Sequence, residues 1–136
     1  MITIQKIGLA VIHNNKLLVV RKKNTDKFIL PGGKRIAGEN DTDTLKREIK
    51  EELQCDIDTG ILKFIGEFED IAANEYNTII NIRLYVGALP SDSIKVDNEI
   101  IEYIWFNCSK DNVQNLSRSI KNKIIPNLIS SGMLKI

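Results

Sequence analysis

Residues 47–53 read REIKEEL, which places three glutamates within five positions. On a helix, Glu48 would face Glu51 and Glu52 at spacings of three and four residues, and like charges at those spacings repel by about 0.2–0.5 kcal/mol per pair. A short stretch with this repulsion needs a compensating positive charge. The segment therefore predicts a helix whose acidic face has a counterion.

The predicted helix covers residues 44–53, which contain only good or acceptable helix formers and follow the N-cap candidates Asp41, Thr42 and Asp43. At about 100° per residue its side chains fall into three sectors. The apolar, basic and acidic sectors hold, in that order, Leu45, Ile49 and Leu53; Lys46, Arg47 and Lys50; and Glu48, Glu51 and Glu52. Glu52 borders the apolar sector, so we expect it at the edge of the core.

A half-shielded cluster of three carboxylates calls for a cation, and all-oxygen ligands suit Mg²⁺ or Mn²⁺ better than zinc. By itself, an acidic face of this kind is more typical of a solvated surface helix. Its neighbours favour a ligand site. The paired glycines Gly32 and Gly33 allow the backbone to turn sharply towards a ligand, and the cations Lys34 and Arg35 follow them.

Loop and helix together match the Nudix box, G-x5-E-x7-R-E-U-x-E-E-x-G-U, in which U is aliphatic. The matched positions are Gly33, Glu39, Arg47, Glu48, Ile49, Glu51 and Glu52. The chain departs from the box at Gln54 and Cys55, which replace its final glycine and aliphatic residue. We expect this departure to alter the helix cap more than the chemistry. The chain thus resembles the Nudix hydrolases, in their small MutT-like form.

The resemblance implies an α/β fold, with an α/β/α sandwich around a mixed β-sheet. It also implies hydrolysis of a nucleoside diphosphate linked to another group, with Mg²⁺ or Mn²⁺ as cofactor. By resemblance, Glu51 and Glu52 hold the metal, and the carbonyl of Gly33 completes its coordination. Glu48 holds the metal or acts as the general base, and the identity of the base stays open.

Other positions of the motif have supporting roles by the same resemblance. Glu39 and Arg47 are expected to form an ion pair that holds the loop against the helix, and Gly32 is structural. On the helical wheel, Arg47 points away from the acidic sector. Lys34, and less directly Arg35, are candidates for contact with substrate phosphates.

Glutamates outside the motif are additional candidates for a metal ligand or base. Glu75, Glu99 and Glu102 lie in or near later loops, although each one alone is more typical of a solvated residue. The basic run 21–23 (Arg-Lys-Lys) has the pattern of a solvated strand end, with phosphate contact as the alternative.

Apolar and β-branched runs predict a mixed sheet of several strands. The predicted strands are 4–12, 17–20, 28–30, 61–71, 77–89 and 103–106, with a hairpin at 13–16 and a connection at 72–76. A terminal amphipathic helix is predicted behind Asn115 and Ser117, with a kink or break at Pro126 and a stop at Gly132.

Length and charge limit the remaining possibilities. A chain of 136 residues with a net charge of +1 is expected to form one domain over 1–136, and it lacks the basic excess of proteins that bind nucleic-acid polymers. The run 7–12 is too short for a bilayer span and residues 1–6 do not resemble a signal peptide, so we expect a cytoplasmic protein without a membrane partner. Cys55 and Cys108 are expected to be reduced, with Cys108 partly exposed.

Two other phosphate or metal sites are excluded by their spacing. Asp41, Asp43 and Glu52 occupy the first, third and twelfth positions of a calcium loop, but Leu45 and Lys46 stand where an oxygen ligand and glycine belong. No G-x-x-x-x-G-K-[ST] sequence is present, which excludes a P-loop.

The expected substrate is a small nucleotide. The marker proline that ADP-ribose-directed members tend to carry shortly after the box is missing, since the nearest downstream proline is Pro90. The small single-domain build resembles MutT-type pyrophosphohydrolases, which implies a nucleoside triphosphate, oxidised ones included, cleaved to a monophosphate and pyrophosphate. ADP-ribose, nucleotide sugars and dinucleoside polyphosphates stay open, as does a catalytically silent module that senses a nucleotide. The oligomeric state, including a homodimer, also stays open.

Overall fold

The computed structural model describes residues 1–72, 75–90 and 92–136. Its elements, in chain order, are β1 (Ile2–His13), β2 (Lys16–Lys22), β3 (Phe28–Ile29), β4 (Gly32–Gly33), α1 (Asp41–Leu53), β5 (Lys63–Ile71), β6 (Thr78–Gly87), β7 (Ile100–Phe106) and α2 (Ile125–Ser130). Short 3₁₀ turns lie at Thr59–Ile61 and Val113–Asn115. The predicted connection 72–76 falls partly on residues 73 and 74, outside the described residues.

The sheet is mixed, as predicted, and β1 is its central strand. β1 runs parallel to β6 from Ile2 opposite Thr78 to Val11 opposite Gly87. Antiparallel pairs join β1 to β2, β2 to β7 and β5 to β6. The β1–β2 hairpin turns through Asn14 and Asn15, whose φ values of 52° and 60° fit a turn with two left-handed residues.

Helices cover both faces of the sheet. Alternate residues of β1 point to opposite faces, so this strand contributes apolar side chains to a cluster on each side. One apolar cluster joins β1 to the inner face of α1 through Ile7, Leu9, Val11, Leu45, Ile49 and Leu53. The other joins the opposite face to the C-terminal helix through Ala10, Leu84, Ile120, Ile124 and Leu128. The α/β/α sandwich is therefore confirmed.

Helix α1 begins three residues earlier than predicted. Asn40, rather than residues 41–43, is the N-cap: its side chain accepts a hydrogen bond from the N–H of Asp43 at 2.8 Å, and the Asp43 carboxylate accepts one from the N–H of Asn40 at 3.3 Å. This reciprocal pair is a capping box, which satisfies two otherwise unpaired donors. Asp43, one of the three predicted N-cap candidates, is instead the residue whose carboxylate completes the capping box.

The C-terminal helix contains the irregularity predicted near Pro126, placed just before the proline. Ile120–Ile124 form a π-helical turn, in which the N–H of Ile125 donates to the carbonyl of Ile120. A proline lacks the N–H that an α-helix uses, so a widened turn beside it is a common adjustment. The helix ends before Gly132, whose φ of 80° confirms it as the stop.

Two further expectations concern membrane-spanning helices and the state of the two cysteines. Within residues 1–72, 75–90 and 92–136, no helix combines the length and apolar composition that crossing a bilayer requires. Both cysteines are free, with Cys55 buried and Cys108 partly exposed, as predicted.

Helix α1 ends at the position where the chain departs from the Nudix box. Gln54 adopts φ 55° and ψ 35°, and its N–H donates to the carbonyl of Lys50. Its side chain donates to Asp97 at 3.1 Å. A left-handed conformation costs a residue with a Cβ roughly 1–2 kcal/mol, which explains why a glycine suits this place.

We expect Gln54→Gly to unfold with a higher free energy than Gln54→Ala, by about 1 kcal/mol. Both variants lose the hydrogen bond to Asp97, so they differ only in the strain of the left-handed backbone. Urea denaturation of the two proteins measures the difference. Equal free energies of unfolding would contradict the assignment of strain to Gln54.

Candidate active site

A cavity of about 390 Å³ opens where α1 meets the glycine pair and the edge of β1. We call it the carboxylate cavity. Its charged and glycine lining residues are Glu48, Glu51, Glu52, Glu75, Glu99, Lys6, Lys22, Lys34, Gly32 and Gly33. The structure thus brings most of the predicted site residues to one place.

The glycine pair allows α1 to approach the sheet closely. Gly32 and Gly33 form β4, which pairs with Gly8 and Ile7 of β1. A Cβ on Gly33 would lie 2.6 Å from the carboxyl carbon of Glu48, and one on Gly32 would lie 2.0 Å from the carbonyl oxygen of Ile7. Side chains at these two positions would therefore displace the glutamate or the strand pairing.

Glu52 is buried at the base of the carboxylate cavity. Only 5% of its surface is exposed, and its Oε1 accepts a hydrogen bond from the N–H of Gly32 at 3.0 Å. Burial raises the pKa of Glu52 to about 8; the hydrogen bond from Gly32 opposes this shift, and the charge of Glu48 adds to it. The predicted position of Glu52 at the edge of the core is confirmed.

Arg47 and Glu39 form the expected ion pair between loop and helix. The Arg47 guanidinium donates to both carboxylate oxygens of Glu39, at 2.7 and 3.0 Å. It also donates to the carbonyl of Lys34 at 3.1 Å. Glu39 accepts further hydrogen bonds from Ile36 and Thr44, and these contacts, above all those from Arg47, lower the pKa of its carboxyl to about 2.

The prediction that Arg47 points away from the acidic sector is wrong. One of its nitrogens, Nη1, lies 2.8 Å from Glu48 Oε1 and 3.5 Å from Glu51 Oε2. A wheel gives the direction in which a side chain leaves the helix, whereas a guanidinium is long enough to reach a neighbouring sector. Arg47 is therefore a counterion of the acidic face.

Two of the residues predicted to contact a phosphate or a metal lie outside the carboxylate cavity. Arg35 donates to Asp41 at 2.9 Å and to Gln5 at 3.1 Å, beside a separate surface depression. Glu102 is directly paired with Arg21 across β7 and β2, at 2.6 Å. These positions do not support a phosphate contact for Arg35 or a metal contact for Glu102.

Lys6 and Lys22 also line the cavity, and Lys6 was not predicted as a site residue. Lys22 is half-buried at the end of β2, a position compatible with the phosphate contact that was the alternative for run 21–23. Burial, and then the nearby charge of Lys22, lower the pKa of Lys6. The signal in the sequence was a lysine that, with Gln5, interrupts the apolar residues of β1 between Ile4 and Ile7.

The donor set of the cavity fits a hard divalent cation, because carboxylates and a backbone carbonyl are the ligands that Mg²⁺ and Mn²⁺ prefer. As the side chains stand, no three acidic, histidine or cysteine side chains in the described part of the chain are grouped closely enough to hold a metal. Arg47 instead contacts Glu48 and Glu51. The high pKa of Glu52, buried beside two further carboxylates, is typical of an acidic cluster that needs positive charge.

Comparison with known proteins finds a curated relative that aligns with most of this chain. The m7GpppN-mRNA hydrolase of Saccharomyces cerevisiae is 29% identical over 126 residues, which are 90% of this chain. The chain spans only 13% of the length of that protein.

Solved structures share the fold at low sequence identity. The MutT protein of Methanosarcina mazei Go1 superposes with a TM-score of 0.76 at 18% identity, covering 96% of each chain. A bifunctional NMN adenylyltransferase/ADP ribose pyrophosphatase of Francisella tularensis, complexed with AMP and a manganese ion, superposes with a TM-score of 0.65 at 20% identity, covering 95% of this chain and 42% of that one.

The family itself is shown by the sequence. Residues 5–128 match the profile of the NUDIX domain, a range that includes the glycine pair, the ion pair of Arg47 and every glutamate of the carboxylate cavity. The chain therefore belongs to the Nudix family of hydrolases.

Proposed function

We propose that this chain hydrolyses a diphosphate linkage in a nucleoside diphosphate joined to a further group, and that it requires Mg²⁺ or Mn²⁺. The observation that carries the proposal is the desolvated Glu52, which lies with Glu48, Glu51 and the Gly33 backbone in one cavity. A buried carboxylate beside others of like charge gains most from a bound cation.

A nucleoside triphosphate, cleaved to a monophosphate and pyrophosphate, is the substrate we propose within this class. The likeness in fold to a MutT protein over nearly the whole of both chains supports it. So does the missing proline marker of ADP-ribose-directed members, because the first proline after α1 is Pro90. ADP-ribose is the second candidate, because the Francisella tularensis protein of similar fold is an ADP ribose pyrophosphatase as well as an NMN adenylyltransferase.

The mechanism assigns separate tasks to the residues of the cavity. Glu51, Glu52 and the carbonyl of Gly33 would hold the metal, and Glu48 would be either a further ligand or the base. When bound, the ion neutralises charge on the phosphate oxygens. Lys34, on the rim of the same cavity, would contribute positive charge to the same oxygens.

The chain must also activate water, because the attacking oxygen loses a proton as its bond to phosphorus forms. The base is one of the cavity glutamates. The ion pair with Arg47 at 2.8 Å holds the carboxylate of Glu48 in the space that a Cβ on Gly33 would occupy. Arg47 in turn is held by Glu39, so the ion pair orients the acidic face without taking part in bond cleavage.

We expect the double variant Glu51→Gln, Glu52→Gln to lower turnover by at least about 10³-fold, since it removes two of the proposed metal ligands. Activity is measured with Mg²⁺ on a panel of nucleoside triphosphates, ADP-ribose, nucleotide sugars and dinucleoside polyphosphates. Chromatography of the products identifies the bond that is cleaved.

The matched control for this experiment is Glu67→Gln. Glu67 is a half-exposed residue of β5 that lies 3.7 Å from Arg83, away from the cavity. This variant should retain wild-type turnover. Nucleotide binding without turnover of any panel member, in wild type as well as variant, would favour the silent sensing module instead.

The metal-free protein should lose stability between about pH 5 and pH 8 because of Glu52. Its pKa rises from 4.5 to about 8 on folding, so over this range the native state holds a proton that the unfolded state has released, and stability falls as pH rises. We expect Glu52→Gln to gain roughly 3 kcal/mol relative to wild type between these pH values. Urea denaturation in EDTA measures the gain.

Mg²⁺ should remove most of this difference by stabilising the ionised form of Glu52 in the wild type alone. A wild type whose metal-free stability runs parallel to that of Glu52→Gln from pH 5 to pH 8 would show that Glu52 is not desolvated. Lys50→Gln, on the exposed basic sector of α1, is the control variant and should follow the wild type.

A further inference from the structure

The carboxylate cavity has an apolar neighbour. A second cavity, of about 90 Å³, shares four lining residues with it: Lys6, Lys22, Gly32 and Gly33. Its other walls are mainly aliphatic, with Ile7, Ile29, Leu30, Ile80 and Ile82 among them. They come from β1, β3, β6 and the residue after β3, and two serines near the start of the C-terminal helix, Ser117 and Ser119, complete them. Charge is thus concentrated on one side of the shared residues and apolar surface on the other.

Lys6 and Lys22 lie at the boundary between these two cavities. Both also line a third cavity of about 230 Å³, so their side chains stand where all three meet. Lys34 differs, because it lines the carboxylate cavity but not the apolar one. A group that extends from the carboxylates towards the apolar walls therefore passes the four shared residues, of which only the two lysines carry charge.

The charge of Lys6 is only partly compensated. Burial and the positive charges of Lys22 and Lys34 disfavour its ionised form more than the carboxylates of Glu75 and Glu52 favour it, so the pKa of Lys6 is lowered. The nearest acidic group of Lys22 is the exposed Glu99, at 3.8 Å. Two ammonium groups that repel one another at the mouth of an apolar cavity would gain from an anion between them.

We propose that Lys6, together with Lys22, binds the substrate phosphate that lies farthest from the carboxylates, next to the apolar cavity. This inference rests on the proposed function, which supplies the phosphates. Lysine suits the task, since its ammonium is a compact point charge on a flexible stem. The aliphatic walls beyond would disfavour any further anionic group, so the charged part of the substrate ends at the lysines and its organic part lies beyond them.

The proposal makes Lys6 a positioning residue for binding rather than for bond cleavage. Removing its charge should weaken the binding of a diphosphate. The same change should leave the binding of Mg²⁺ alone unchanged or tighter, because a positive charge near the carboxylates is lost. A merely structural lysine would not produce this split.

The test compares the wild type with Lys6→Met and Lys6→Arg by titration calorimetry. Methylenediphosphonate, which cannot be hydrolysed at its bridge, is the anionic probe in saturating Mg²⁺, and Mg²⁺ alone is the second ligand. We expect Lys6→Met to bind the diphosphonate at least tenfold more weakly and Lys6→Arg to stay within about threefold of the wild type. Lys63→Met, an exposed residue at the start of β5, should match the wild type in both titrations.

Unchanged diphosphonate affinity in Lys6→Met would overturn the proposal, and so would equal losses of diphosphonate and Mg²⁺ affinity. The outcome is separable from that of the substrate panel. Diphosphonate binding that depends on Lys6, in a chain that cleaves no panel member, would support the anion site and remove the hydrolysis proposal. Turnover with an unchanged KM in Lys6→Met would remove the anion site alone.

Discussion

The approach of the acidic face of α1 to the backbone of Gly32 and Gly33 is the contact on which the site depends. A helix that carries buried carboxylates needs donors close by, and the N–H of Gly32 is one, at 3.0 Å from Glu52. The approach is possible because neither glycine has a Cβ, and a methyl group at either position would meet Glu48 or the backbone of β1. The same apolar cluster that packs α1 against β1 therefore also determines where its glutamates lie.

Arg47 explains how the acidic face is tolerated without a metal. Its guanidinium contacts Glu39, Glu48 and Glu51 at once, so it distributes one positive charge over three carboxylates. Glu52 has no such partner in the described part of the chain, and this is the carboxyl whose pKa burial raises to about 8. Under our assignment, a divalent ion would share Glu48 and Glu51 with Arg47, which stays anchored by Glu39, and would supply the charge that Glu52 lacks.

Local patterns predicted those features that depend on neighbours in the chain. The box spacing and the helical period identified the glutamates and the burial of Glu52, because both follow from positions along one helix. The direction of Arg47 was missed, since a wheel does not include side-chain length. Lys6 was missed, and Lys22 was predicted only as an alternative, for another reason: they belong to β1 and β2, and they meet the glycine pair only because of how the sheet pairs its strands. The pattern of residues along one strand does not show which residues of other strands lie beside it.

The arrangement of charge gives the cavity two poles. Glutamates from α1 form the negative pole, and Lys6 and Lys22 stand where the cavity meets apolar surface. Each pole is unfavourable alone, because like charges are crowded in a partly desolvated space. A cation at the first pole reduces the repulsion that the glutamates exert on a phosphate, and a phosphate at the second relieves the repulsion between the lysines. Under our assignment, the cation and the diphosphate therefore each bind more tightly when the other is present, by an amount that linkage makes equal for the two.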